Sequence, residues 1–100
     1  MIKHIVFIKI KGAESDAEKK TDLQKLKEAL DALPSVIPEI KNFQTGINIS
    51  DAATASDFAL IGEFENKDTL EAYKKHPEHQ KILDMISSIK GRTAVVDFEY

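Results

Sequence analysis

The residues best able to do chemistry in this sequence are three histidines and a tyrosine: His4, His76, His79 and Tyr73. A histidine can take a proton near neutral pH, and a tyrosine hydroxyl can donate a hydrogen bond to a carbonyl oxygen. Tyr73 and His79 lie on either side of a helix break at His76 and Pro77, so helical spacing alone does not bring them together. If the helix restarts at Pro77, both can point toward a sheet, and His4 can line the same gap.

His4 also has a purely structural interpretation. It shares one face of a predicted strand with Val6 and Ile8, and a histidine in an apolar stripe is often a core residue with satisfied hydrogen bonds. We expect the gap to form a small pocket with apolar walls and a few polar groups, which is typical of small-molecule sites. The residues predicted to line it, besides the candidate catalytic residues His79, Tyr73 and His4, are Val6, Ile8, Leu26, Leu30, Phe58, Leu60 and Leu83.

Metal and cofactor chemistry have little support. His76 and His79, with Glu78, could provide ligands, but their spacing across a proline is not that of an H-E-x-x-H site. Cysteine is absent, and the sequence has no phosphate-binding glycine loop, dinucleotide fingerprint or Ser-His-Asp order. We therefore predict no metal and no cofactor.

The composition argues against nucleic acid and membrane as partners. The formal charge is −3, with 14 Lys and Arg against 17 Asp and Glu, so no broad positive field is available to bind nucleic acid. No run of about 18 apolar residues predicts a membrane span, and we expect a cytoplasmic location. A chain of 100 residues is expected to form one domain, residues 1–100.

The elements that must position these residues begin with a strand and a helix. Alternation over residues 2–11 predicts a strand, with Gly12 breaking it. Ser15 and Glu18 form a capping-box pattern, so a helix should begin near Asp16 and end at Pro34.

The rest of the chain completes the order β-α-β-β-α-β. Alternation predicts strands over residues 42–50, with a bulge or bend at Gly46, and over residues 57–65, forming a hairpin. Asn66 should cap a second helix, Pro77 should restart it, and Gly91 should stop it before a last strand over residues 93–100. This order predicts an α+β, ferredoxin-like fold with a four-stranded antiparallel sheet and the helices on one face.

An uncovered sheet face predicts a homodimer. Alternation groups Ile5 and Phe7 with residues such as Ala59, Ile61 and Val95 on one face, and whether or not the helices cover that face, apolar side chains remain on the uncovered side. A two-fold copy can bury such a face.

Motifs along essentially the whole chain resemble one known family. They are K-H-I-V-F-I-K at residues 3–9, L-P-S-V-I-P-E-I-K-N-F at 33–43, F-A-L-I-G-E-F-E at 58–65, A-Y-K-K-H-P-E-H at 72–79 and V-V-D-F-E-Y at 95–100. The chain resembles the stress-responsive A/B barrel domain family, also called Dabb, of the dimeric α+β barrel superfamily. The resemblance implies a homodimer in which two sheets close into a barrel with helices outside.

The resemblance implies less about chemistry. A plant member is a cofactor-free polyketide cyclase, whose catalytic tyrosine and histidine match Tyr73 and His79 and whose early pocket histidine matches His4. A further pocket histidine of that enzyme falls at Phe58, and its aromatic cavity wall is replaced by aliphatic residues such as Leu26 and Leu30, so the substrate should differ.

Three functions stay open from the sequence. The first is a homodimer that binds a small hydrophobic or carbonyl-containing molecule. The second is a cofactor-free acid–base enzyme, a cyclase, lyase or isomerase acting on a carbonyl compound. A haem-degrading or other oxygenase activity, known elsewhere in the superfamily, has less support because no ligand motif accompanies it.

Overall fold

The computed structural model describes residues 1–11 and 15–100, and its elements follow the predicted ferredoxin-like order. The predicted strand break at Gly12 lies outside the described residues. The elements are β1 (Ile2–Ile10), α1 (Asp16–Asp31), β2 (Asn42–Ile47), β3 (Phe58–Phe64), α2 (Lys67–Lys75), α3 (Pro77–Ser88) and β4 (Gly91–Glu99), with a short 3-10 turn at Leu33–Ser35 after α1. In the described ranges, no helix is both long and apolar enough to cross a membrane.

The four strands form one antiparallel sheet in the order β2-β3-β1-β4. The prediction of an α+β fold with such a sheet is confirmed. β1 lies in the interior of the sheet, paired on one side with β3 and on the other with β4, as expected for a strand that is apolar on both faces. The side chains of β1 therefore occupy the middle of both sheet faces.

The helices cover only one face of the sheet. The helices bury the face that carries His4, Val6 and Ile8, and together they enclose the core. The opposite face carries the alternate residues, and Phe7 and Val96 there are half exposed. Val95, predicted to share a face with Ile5 and Phe7, instead pairs with Val6 and lies on the helix face, whereas its neighbour Val96 pairs with Ile5.

α1 begins and packs as its sequence predicts. The Ser15 hydroxyl accepts a hydrogen bond from the backbone N–H of Glu18 at 3.1 Å, which satisfies one of the free donors of the first turn. One stripe of the helix is buried, made of Leu23, Leu26 and Leu30.

The helical segment after β3 is broken in two at His76. Asn66 caps α2 through a reciprocal pair of hydrogen bonds with Thr69. Pro77 opens α3, and the His76 ring accepts a hydrogen bond from the backbone N–H of Glu78 at 3.1 Å. His76 thus closes α2 and caps α3, and this break turns the chain so that both helices cover the sheet.

Three local predictions are wrong. Gly91 does not end a helix in the left-handed conformation, because Lys90 has the positive φ of 55° and Gly91 opens β4. Gly46 makes no bulge, since the pairing of β2 with β3 is regular from end to end. β2 ends at Ile47, because Asn48 and Ser50 hydrogen-bond to each other in a turn, and Ile49 there is fully exposed.

Candidate functional site

A cavity of about 440 Å³ lies between the helix-covered face of the sheet and the helices. Its walls come from β1, β3 and β4 on one side and from all three helices on the other. The lining residues are His4, Val6, Ile8, Leu30, Leu60, Tyr73, Lys74, His79, Ile82, Leu83, Ile86, Thr93 and Val95. Such a mixture of aliphatic walls with a few polar groups is typical of small-molecule sites.

The three candidate catalytic residues meet at one end of this cavity. The ring centroids of Tyr73 and His79 are 4.5 Å apart, and those of His4 and Tyr73 are 5.8 Å apart. Tyr73 is on the last turn of α2 and His79 on the first turn of α3, so the break at His76 brings the two rings together. The sheet contributes His4 from β1.

His79 has the arrangement of a base. Its Nδ1 lies 3.0 Å from the backbone carbonyl oxygen of Lys74, and since a carbonyl oxygen only accepts, Nδ1 carries the hydrogen. In the neutral ring, Nε2 then holds the free electron pair. Burial lowers the pKa of His79, and the charges of His4 and Lys74 lower it further, while the hydrogen bond to the Lys74 carbonyl opposes them. His79 is therefore neutral at pH 7 and able to take a proton.

Tyr73 has the arrangement of a hydrogen-bond donor. Its side chain is buried, and its ring packs 4.9 Å from the centroid of Phe64 and 6.2 Å from that of Phe43. This burial raises the pKa of Tyr73, so the phenol keeps its proton at neutral pH.

His4 is held by a partner that the sequence analysis missed. Its Nδ1 is hydrogen-bonded to Oδ1 of Asp97, which lies directly opposite it in β4. The other carboxylate oxygen of Asp97 lies 3.4 Å from the Lys74 ammonium. His4 is thus both a satisfied buried histidine and a cavity residue. Only the register between β1 and β4 could have identified Asp97, because 93 residues separate the pair in sequence.

The apolar residues that line the cavity differ in part from those predicted. Val6, Ile8, Leu30, Leu60 and Leu83 line it as expected. Leu26 and Phe58 do not, and both are core residues with at most 1% of their surface exposed. Leu26 lies one turn from Leu30 on α1, and Phe58 pairs with Ile8 at the start of β3, so both side chains are covered by other core residues.

The lining also includes residues that the sequence analysis did not select. Ile82 and Ile86 follow His79 at helical spacing along α3, which was a usable signal. Thr93 and Val95 required knowledge of the sheet order, because they line the cavity only through the pairing of β4 with β1.

The described ranges, 1–11 and 15–100, contain no group of three His, Asp or Glu side chains that could hold a metal ion. The two histidines beside Pro77 have separate tasks, since Nδ1 of His76 caps α3 and Nδ1 of His79 binds the Lys74 carbonyl.

A family model and one curated relative match most of the chain. The family model described as the stress responsive A/B barrel domain matches residues 2–100. An uncharacterized protein of Streptomyces coelicolor is 34% identical over 80 residues, 80% of each chain.

Solved structures share the fold. A dimeric protein of unknown function with a ferredoxin-like fold, from Bacteroides fragilis, is 33% identical with a TM-score of 0.90, over 99% of this chain and 95% of that one. A hydroxynitrile lyase from Passiflora edulis is 17% identical with a TM-score of 0.78, over 97% of this chain and 90% of that one. At that identity the second likeness shows the fold alone.

Proposed function

Because the chain belongs to the stress-responsive A/B barrel domain family, we propose that it works as a homodimer in which each protomer binds a small, mostly apolar molecule with a carbonyl group. The observation that carries this proposal is the cavity, in which His4, Tyr73 and His79 lie close together while most of the remaining walls are aliphatic. A ligand with a polar carbonyl end and a hydrocarbon body matches both parts.

The open face of the sheet supports the homodimer. Large apolar side chains there are exposed by 37 to 59%, namely Phe7, Ile61, Val96, Phe98 and Tyr100. Contiguous apolar surface of this kind on a small protein is typical of an interface. The Bacteroides fragilis relative, which is described as dimeric, supports the same assembly.

Ligand binding is tested directly by NMR. Spectra of the protein labelled with ¹⁵N are recorded with 2-heptanone, hexanal and hexanoic acid, which are similar in chain length and differ in the polar end. We expect the two carbonyl probes to shift resonances of cavity residues such as Leu60 and Ile82 more than those of Ile49 in the exposed β2–β3 loop. Equal or absent shifts in the cavity would contradict the proposal.

A second candidate function is acid–base catalysis without a cofactor, and the hydrogen bonding of His79 favours it. With Nδ1–H donated to the Lys74 carbonyl, Nε2 can remove a proton next to a carbonyl group. Tyr73 can donate its phenolic hydrogen to the carbonyl oxygen, where negative charge develops. Such a step requires only a base and a donor held at one end of an otherwise apolar cavity.

Exchange of hydrogen for deuterium tests this second function. In D₂O, a base beside the carbonyl replaces the α-hydrogens of 2-heptanone, and NMR measures the rate. We expect His79→Gln to slow the protein-catalysed exchange by roughly a hundredfold and Tyr73→Phe by roughly tenfold. His76→Asn is the matched control, since it removes a histidine outside the cavity while asparagine can still cap α3. Exchange that is equally fast in His79→Gln would contradict the catalytic function.

A further inference from the structure

The two histidines of the cavity differ in the group that binds Nδ1. His79 donates to the backbone carbonyl of Lys74, which is neutral, whereas His4 is hydrogen-bonded to the carboxylate of Asp97. Both partners only accept, so in both rings Nδ1 carries hydrogen and Nε2 is the atom that exchanges a proton with a ligand.

The free ring nitrogens are available to a ligand. Neither Nε2 takes part in a hydrogen bond within the described residues. No fully buried side-chain nitrogen or oxygen there lacks a partner, so each Nε2 must be accessible. Since both rings line the cavity, Nε2 of each is open to it. The two rings both contact Tyr73, so all three groups can reach one small carbonyl group.

We propose that Asp97 is a positioning residue that holds His4 as the proton donor of the cavity, opposite His79 as the proton acceptor. This inference rests on the acid–base function proposed above and assigns the two histidines opposite tasks within it. A carboxylate at Nδ1 stabilises the charged imidazolium, which carries a proton on Nε2, while a backbone carbonyl provides no such charge.

The surroundings of His4 support this assignment. The elements packed against it contribute Asp97 from β4, Tyr73 and Lys74 from α2, and His79 from α3, while β3 contributes the uncharged Gly62 and Phe64. Of these groups, Asp97 is the acid. The Lys74 ammonium lies 3.4 Å from the second oxygen of Asp97, the one that His4 does not bind, and helps to hold the carboxylate in place.

The proposed roles of His79 as proton acceptor and His4 as proton donor give a balanced step. Nε2 of neutral His79 takes a proton from the carbon next to the carbonyl, and the electron pair of that C–H bond forms the carbon–carbon double bond of an enol. The carbonyl oxygen takes the proton from Nε2 of the His4 imidazolium, with Tyr73 hydrogen-bonded to the same oxygen. His79 ends charged and His4 neutral, because one proton has moved from carbon to His79 and another from His4 to oxygen, and no oxidant or further reactant is needed.

The test uses the protein and two matched variants in β4. Asp97→Asn removes the charge at nearly constant size, and Glu99→Gln makes the same change at a residue that does not line the cavity. The ¹⁵N shifts of the histidine ring nitrogens are measured from pH 5 to 9 in the absence of ligand. The α-exchange of 2-heptanone is measured over the same range.

We expect the His4 ring to lose its Nε2 proton at lower pH in Asp97→Asn than in the parent and in Glu99→Gln. We expect exchange to slow by roughly ten- to a hundredfold in Asp97→Asn. The alkaline side of its pH–rate profile should move to lower pH, a change that a merely structural defect would not cause.

The outcomes distinguish failure of the role proposed for Asp97 from failure of the acid–base function. If Asp97→Asn leaves the His4 ring shifts unchanged at every pH, the inference is wrong whatever the activity. If the ring state changes while the pH–rate profile does not, Asp97 has no role in proton donation and the inference is also wrong. If the parent protein catalyses no exchange, the acid–base function fails, and the ring shifts still decide whether Asp97 controls the charge of His4.

Discussion

At the scale of single residues, the candidate site is defined by what holds each ring. The state of the His79 ring is set by the Lys74 carbonyl, which lies in the last turn of α2, where carbonyl groups lack partners within the helix. The same carbonyl also accepts a hydrogen bond from the Gln80 side chain at 3.1 Å. Tyr73 acquires its character from burial, which raises its pKa. Burial is the largest cause of the pKa shift in both residues.

The lowered pKa of His79 predicts how stability depends on pH. Because the folded state disfavours the charged ring, His79 contributes fully to stability above its unfolded pKa, roughly 6.5, and this contribution is lost as the pH falls below that value. We expect His79→Gln to unfold with a smaller loss of stability between pH 7 and pH 5 than the parent. Urea unfolding at several pH values measures this. A parent and variant that lose equal stability on acidification would show that His79 stays easily protonated in the fold.

At the scale of elements, the site depends on the break between α2 and α3 and on the packing of α3 against β4. The N–H of His76 bonds to the Tyr73 carbonyl, and its side chain caps the next helix. At the other end of α3, Gly91 lies against Ile86, a cavity residue. The two ends together fix where His79 and Ile86 meet the sheet.

Gly91 is expected to be required for close packing. A Cβ at this position would lie 2.7 Å from the Ile86 Cγ2 methyl carbon and 3.2 Å from the Ile86 carbonyl oxygen, so Gly91→Ala forces α3 and β4 apart. We expect it to destabilise the protein by about 1–3 kcal/mol. Gly46→Ala is the control, because nothing lies within 4 Å of a Cβ there, and it should change the stability little. Chemical denaturation of both variants measures the difference, and similar losses in the two would refute this explanation.

At the scale of the whole molecule, the one-sided helix layer leaves one sheet face open. The cavity opens beside β4, where Val95 is half exposed, while the apolar patch around Phe7 lies on the opposite face. A second protomer on the open face would therefore leave the helix-side walls of the cavity in place.

The homodimer is tested by a pair of lysine substitutions. Phe7 and Val36 are equally exposed, at 49%, but only Phe7 lies on the open sheet face, since Val36 is in the connector after α1. We expect Phe7→Lys to shift the protein to monomers, because it places a charge in the apolar interface, and Val36→Lys to leave the dimer intact. Analytical ultracentrifugation over a range of concentrations measures both. A Phe7→Lys variant that remains dimeric would place the interface elsewhere.

The sequence by itself determined the order of elements, because alternation, helix caps and prolines act over a few neighbouring residues. Ser15, Asn66 and Pro77 each begin a helix where their chemistry requires it. The residues His4, Tyr73 and His79 could be selected by type, and the resemblance along the chain linked them to one site.

Only the tertiary structure decided how those residues work. The pairing of β1 with β4 joins His4 to Asp97 across 93 residues, and the same pairing brings Thr93 and Val95 into the cavity. The burial of Leu26 and Phe58, and the close approach of Gly91 to Ile86, likewise depend on how distant segments pack. Local patterns record the period of an element and its ends, whereas register and packing are contacts between segments far apart in sequence, which only the folded chain brings together.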